Sequence, residues 1–191
     1  MTGMLATSVI GIALLVAGLS KLRDIGAHAR VVVGYKILPD PLAVKVGRVL
    51  PFLEILLGAA LLGRVGLDAV AWGVAALFGV YAAGLAVNLL RGRTELDCGC
   101  FAFGGHDAPS IGWWHVTRAL GFAAAAVACL YLPGPRSLPE ASTGLVLAGL
   151  TVALAFGVRA VASTLTLGRI RVDDYLRPAR DELRRRHSAA V

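Results

Sequence analysis

The residues best suited to chemistry in this chain are Cys98 and Cys100, two thiols separated by Gly99 in the segment Arg91-Gly-Arg-Thr-Glu-Leu-Asp-Cys-Gly-Cys-Phe-Ala-Phe-Gly-Gly-His106. A disulfide needs Cα atoms roughly 4.4 to 6.8 Å apart. Residues two apart reach this only if the chain folds back between them, and glycine tolerates the backbone angles that requires. So small a ring is strained and readily reduced, which suits an exchangeable disulfide better than a structural staple closing a long loop. Arg91, Arg93 and His106 are the cations in sequence that favour a thiolate there, whereas Glu95 and Asp97 oppose it. Two other readings stay open: a metal site from Cys98, Cys100, His106 and Asp107, although structural zinc sites usually space cysteines further apart, and two incidental small residues in a turn.

Cys129 is the third and last cysteine, deep in an alanine-rich apolar run, and reads as a packing residue rather than a third redox partner. Glu54, Lys21, Arg118 and His115 are polar or ionisable groups inside apolar stretches, where such groups are costly and are by default functional or paired. For Glu54 the structural alternative is pairing with Lys21 or Arg118 to fix helix packing. Lys21 and Arg118 read first as side chains snorkelling to an interface. His115, beside Trp113 and Trp114, reads as part of an interfacial aromatic belt, with a proton relay as the lesser alternative.

The elements holding these residues must be membrane helices. The chain has 191 residues, 57% hydrophobic and only 16% charged, with a mean hydropathy of +0.73. That is more apolar surface than a soluble domain of this size can bury. Crossing the hydrocarbon takes about 20 mostly apolar helical residues, because lipid offers backbone polar groups no partner. Five runs qualify, at about Leu5–Leu22, Val44–Leu62, Leu67–Leu90, Ile111–Leu132 and Thr143–Leu167. The first meets its cations only at its far end, the reverse of a secretory signal, and reads as a retained helix. Pro133, Gly134, Pro135 and Pro139 part the fourth run from the fifth. Small residues four apart at Gly79/Ala83, Ala82/Ala86 and Gly121/Ala125 offer faces for close helix contact. The expected fold is all-α: an integral membrane bundle with a four-helix domain over 1–132, a linker and fifth transmembrane helix over 133–167, and a basic tail over 168–191.

The net charge of +7 does not indicate nucleic acid, because of where the cations sit. Lys21, Arg23, Arg30, Lys36, Lys45 and Arg48 lie in or beside the first connection, and Arg169, Arg171, Arg177, Arg180 and Arg184 to Arg186 fill the tail. Arg64 and Arg136 alone lie in the second and fourth connections. The positive-inside rule then puts the amino terminus outside and the tail in the cytoplasm. The partner of these charges is the lipid bilayer. Val172, Tyr175, Leu176, Ala179 and Leu183 suit a short helix on the inner surface, with a solvated tail as the alternative.

Gly18-Leu-Ser-Lys21, Gly34-Tyr-Lys-Ile-Leu-Pro39, Leu50-Pro-Phe-Leu-Glu54 with Gly58, Arg91-Gly-Arg93, Cys98-Gly-Cys-Phe101 and Arg118 form an ordered set over residues 1 to 132. Together they resemble the methylamine utilisation protein MauE family, within the wider group of DoxX-like membrane proteins. The resemblance implies a helical protein of the bacterial cytoplasmic membrane that assists maturation of the disulfide-rich methylamine dehydrogenase small subunit, acting with MauD, a thioredoxin-like partner outside the cytoplasm. It also implies Cys98 and Cys100 as a redox pair, with Lys21, Glu54 and Arg118 as polar framework. Where such proteins often carry a glycine after Phe101, this chain has Ala102. Five spans with a cytoplasmic tail place the Cys98 loop inside, opposite an external partner: either the cysteines collect electrons from inside, or the fifth segment does not span, or the positive-inside count misleads.

Three functions follow as expectations. The first is thiol-disulfide exchange with a thioredoxin-like protein in support of an exported client. The second is a non-catalytic assembly partner docking through small-residue faces at Gly79 or Gly121. The third is a quinone-linked disulfide oxidoreductase, which needs an apolar quinone pocket beside the redox pair and usually a shuttle pair that Cys129 alone does not provide.

Overall fold

In the first apolar run, no proline or charge interrupts the residues between Thr2 and Lys21, so one helix, α1 (Thr2–Leu22), carries the chain across the bundle. A computed structural model describes residues 2–96, 111–135 and 137–167, except for the side chains of 159, 160 and 162–167. It shows α2 (Ile25–Gly34), α3 (Asp40–Gly63), α4 (Leu67–Leu90), α5 (Trp113–Ala128) with a 3₁₀ turn over Cys129–Tyr131, and α6 (Leu138–Leu167). The described residues contain no strand. Residues Met1–Val152 form one unit, and the second unit, from Ala153 onward, holds the described end of α6.

Among the described residues, four helices are long and apolar enough to cross a membrane: α1, α3, α4 and α6 over Leu138–Val158. The protein is an all-α membrane bundle. The run expected as a span over Ile111–Leu132 is α-helical over only 16 residues. At about 1.5 Å per α residue and about 2 Å per 3₁₀ residue, α5 and its turn together reach about 30 Å. They run the length of the bundle all the same. At one end the Ile111 amide donates to Thr94 O, just past α4; at the other, the Pro133 carbonyl lies against Gly3 at the start of α1.

The unexpected element is α2, inside the basic first connection. Asp24 caps it, its Oδ1 accepting from the Ala27 amide at 2.7 Å, which satisfies one of the orphan donors of the first turn. Lys36, at φ 48°, and Pro39 then break the helix and lead into α3. Having only ten residues, α2 cannot cross; it packs its His28/Ala29 side against α3 at Gly47, where an added Cβ would stand 2.7 Å from Ala29 Cα.

Along α3 the buried residues are Ala43, Gly47, Pro51, Glu54, Gly58 and Leu61, a stripe at spacings of three and four. Val49, Phe52 and Leu56 on the opposite side are exposed, as a lipid-facing surface should be. The small residues of this stripe let α1 approach closely. A Cβ on Gly58 would lie 2.8 Å from Gly11 O, and one on Gly11 would lie 2.9 Å from Gly58 O. This α1–α3 crossing is therefore a small-residue contact of the bundle, as is the α2–α3 contact at Gly47. Gly79 and Gly121, expected from their spacing to mark close contacts, have nothing within 4 Å of an added Cβ; of the three expected pairs, only Ala82/Ala86 reaches the packed interior. Gly58→Ala should therefore lower stability in detergent by about 1–3 kcal/mol, because backbone must move, while Gly79→Ala should change it by less than about 0.5 kcal/mol. Thermal unfolding of the two variants side by side checks this.

Two apolar clusters fill the bundle. One joins Ile10, Leu14, Leu61, Val74 and Leu77 to Ala126 and Cys129; the other joins Ala82 and Leu85 to Ile111, Val116 and Ala119. Phe78 packs against both, stacked on Phe122 at 5.1 Å and edge-on to Tyr81 at 6.2 Å. Cys129 is fully buried in the first cluster, as a packing residue would be. The tail helix expected after residue 167, like Arg136, lies outside the described residues.

Candidate functional site

Glu54 takes its place in the bundle from the α3 stripe, one turn after Pro51, which points it at the last turn of α1. There Lys21 donates to Glu54 Oε1 in an ion pair whose partners are 2% and 1% exposed. Tyr81 of α4 donates its hydroxyl to the same Oε1 at 2.6 Å, and the Lys21 ammonium lies 5.4 Å from the centre of the Tyr81 ring. Three helices are thus tied by one carboxylate. The second oxygen, Glu54 Oε2, is buried with no hydrogen-bond partner among the described residues.

Burial of Lys21 corrects the reading that it snorkels to an interface: its ammonium turns inward because Glu54 and the Tyr81 ring face it. Of the two cations suggested for Glu54, the partner is Lys21; Arg118 is half-buried on α5. His115 accepts a hydrogen bond at Nδ1 from the Gly112 amide at 3.1 Å, capping α5 beside the exposed Trp113 and Trp114.

Beside the pair lies a cavity of about 330 Å³ between α2, α3 and α4. Its wall is largely apolar, and Lys21, His28, Tyr35 and Tyr81 are the lining residues that carry polar groups. His28, Tyr35 and Tyr81 were missed in the sequence. The Asp24 cap was the available signal that His28 stands on a helix, and Tyr81 is a hydroxyl inside an apolar span, a group that needs a partner.

The described residues on either side of the segment that carries Cys98 are tied to the bundle. Arg93 donates to Gly34 O at 2.8 Å, Tyr35 O at 3.1 Å and Asn88 Oδ1 at 2.9 Å, holding the chain against the end of α2. Arg91 donates to Lys36 O at 3.0 Å. Ile111 returns the chain to Thr94 at 2.8 Å. Both arginines, expected to favour a thiolate, donate to carbonyl groups at the end of α2 and its connection, and Arg93 also to Asn88 Oδ1. The loop therefore starts at the same end of the bundle as the basic first connection. Cys98, Cys100, His106 and Asp107 lie outside the described residues.

The family model of the methylamine utilisation protein MauE matches residues 1–132. The chain is 42% identical over 143 residues to the methylamine utilization protein MauE of Paracoccus denitrificans, covering 73% of this chain and 75% of that one. It is 34% identical over 164 residues to the protein of the same name from Methylophilus methylotrophus, covering 86% and 80%. No solved structure matches the chain.

Proposed function

The chain belongs to the MauE family, and from that premise we propose that it is an accessory protein of methylamine utilisation in the bacterial cytoplasmic membrane, whose Cys98/Cys100 pair exchanges electrons with a thioredoxin-like protein during maturation of an exported client. The client of this reading is the disulfide-rich small subunit of methylamine dehydrogenase, and the partner is of the MauD type. The observation that carries the reading is the Cys98-Gly-Cys100 motif inside the family-matched part of the chain, on a loop whose two ends are bonded together at the end of the bundle. A thiolate of the pair attacks a partner disulfide sulfur and forms a mixed disulfide, releasing a partner thiolate. The second cysteine then attacks the mixed bond, leaving the Cys98–Cys100 disulfide and a reduced partner. The reverse sequence oxidises the partner, and two electrons move in either direction.

Removing only the resolving thiol arrests the exchange at the mixed disulfide. One of the two single variants, Cys98→Ser or Cys100→Ser, should accumulate a reductant-sensitive adduct several-fold above wild type on non-reducing gels, and the other should not. Adducts in neither variant would count against the reading. The compartment of the captured partner also matters, because the positive-inside expectation puts this end of the bundle in the cytoplasm while a MauD-type partner works outside it.

A further inference from the structure

We propose that the cavity beside Lys21 is a ligand site and that it holds the head group of a membrane quinone. This rests on the cavity and not on the thiol reading. The space is about 330 Å³, within the range of about 300–1,000 Å³ typical of small-molecule sites. Its walls, including Leu50, Val80 and Val87, are largely apolar, which selects an apolar occupant drawn from the bilayer.

The polar edge selects the head group. An ammonium has three donors; Lys21 gives one to Glu54, and its side chain lines the cavity. A ligand with an acceptor oxygen can meet a remaining donor. The charge of Lys21 is already balanced by Glu54, so the pair is neutral overall and favours an uncharged carbonyl over a carboxylate or phosphate. The rings of Tyr35 and Tyr81 in the wall suit a flat occupant. A neutral planar ring that carries carbonyls on an apolar tail matches these features.

The site also lies near the start of the cysteine loop. Tyr35 lines the cavity with its side chain while its carbonyl accepts from Arg93. Gly84 of α4 offers a way to close the space without disturbing the ion pair. A Cβ there would meet Ile37 and the Tyr35 ring at 3.7 Å, ordinary contact distance, so a larger side chain grows into the void.

The test uses the full chain in detergent micelles, titrated with decylubiquinone and read by quenching of its intrinsic fluorescence. Wild type should bind saturably. Gly84→Leu should bind about ten-fold more weakly or worse, the scale of losing a well-filled pocket, with thermal stability equal to or above that of wild type. Decanoic acid, of equal tail length but anionic, should fail to compete at matched concentration, which separates a quinone site from a slot for any acyl chain. The double variant Cys98→Ser/Cys100→Ser should bind as wild type does, so that a failure of the thiol reading leaves this one standing. Absence of saturable binding, equal affinity in Gly84→Leu, or equal competition by decanoic acid would overturn the proposal.

Discussion

Cells carrying Cys98→Ser/Cys100→Ser in place of the wild-type chain should lose mature methylamine dehydrogenase small subunit to the level of cells lacking the protein altogether. The size of this effect follows from the chemistry: thiol-disulfide exchange needs one sulfur to attack and a second to resolve, and serine does neither. The variant protein should still be inserted and folded, because the exchange leaves the bonds of Arg93, Arg91 and Ile111 in place. Cys129→Ala is the matched control. Cys129 is fully buried among Ile10, Leu14, Leu61 and Ala126, so its loss costs packing but no redox function. Normal maturation in the double serine variant would leave the assembly-partner reading in possession of the field. That reading makes its own prediction, that enlarging Gly79 or Gly121 disrupts a complex; both positions have open space around them in the bundle and are free to meet a partner.

The second large effect concerns the buried pair. Glu54→Leu removes the acceptor of both Lys21 and Tyr81 and leaves an ammonium buried without its counter-charge. Breaking such a pair from one side typically costs about 3–5 kcal/mol, most of it the cost of the stranded charge. Replacing both partners removes that charge, so Lys21→Met/Glu54→Leu should recover most of the loss, or exceed wild type, since an apolar replacement of similar volume is often neutral or stabilising. Denaturation in mixed micelles, arranged as a double-mutant cycle, reads the coupling directly. Single penalties that simply add in the double variant would show that the two residues act independently.

Much of this fold is written in local pattern. The start and end of α4 coincide with the apolar run at Leu67–Leu90, and α1 differs from its expected span only at its first residues, because uninterrupted hydrophobicity and flanking charge are local properties. Lys21 and Glu54 were also visible as charges where lipid tolerates none. Which cation Glu54 chooses was not visible, because Lys21 is 33 residues away in the chain and their meeting depends on the α1–α3 crossing at Gly11 and Gly58. Glycines at that crossing carry no periodic signature distinct from Gly79 or Gly121; only the packed helices separate those in contact from those in open space. The helix α2 was hidden for a different reason: six cations in and around the first connection read as topology signals and drew attention from the Asp24 cap. With α2 unseen, the cavity it walls and the buried His28 were unseen as well. The cysteine motif, by contrast, depends on nothing distant, since two thiols one glycine apart define their own geometry.

The central claim is that Cys98 and Cys100 form a reversible disulfide with each other. It is tested most directly by mass-tagging thiols with a maleimide in purified Cys129→Ala protein, after mild oxidation and then after reduction. The oxidised sample should carry no tagged cysteine and the reduced one two per chain, with no disulfide-linked dimer. Two tagged cysteines per chain in the oxidised sample, as fully as in the reduced one, would contradict it.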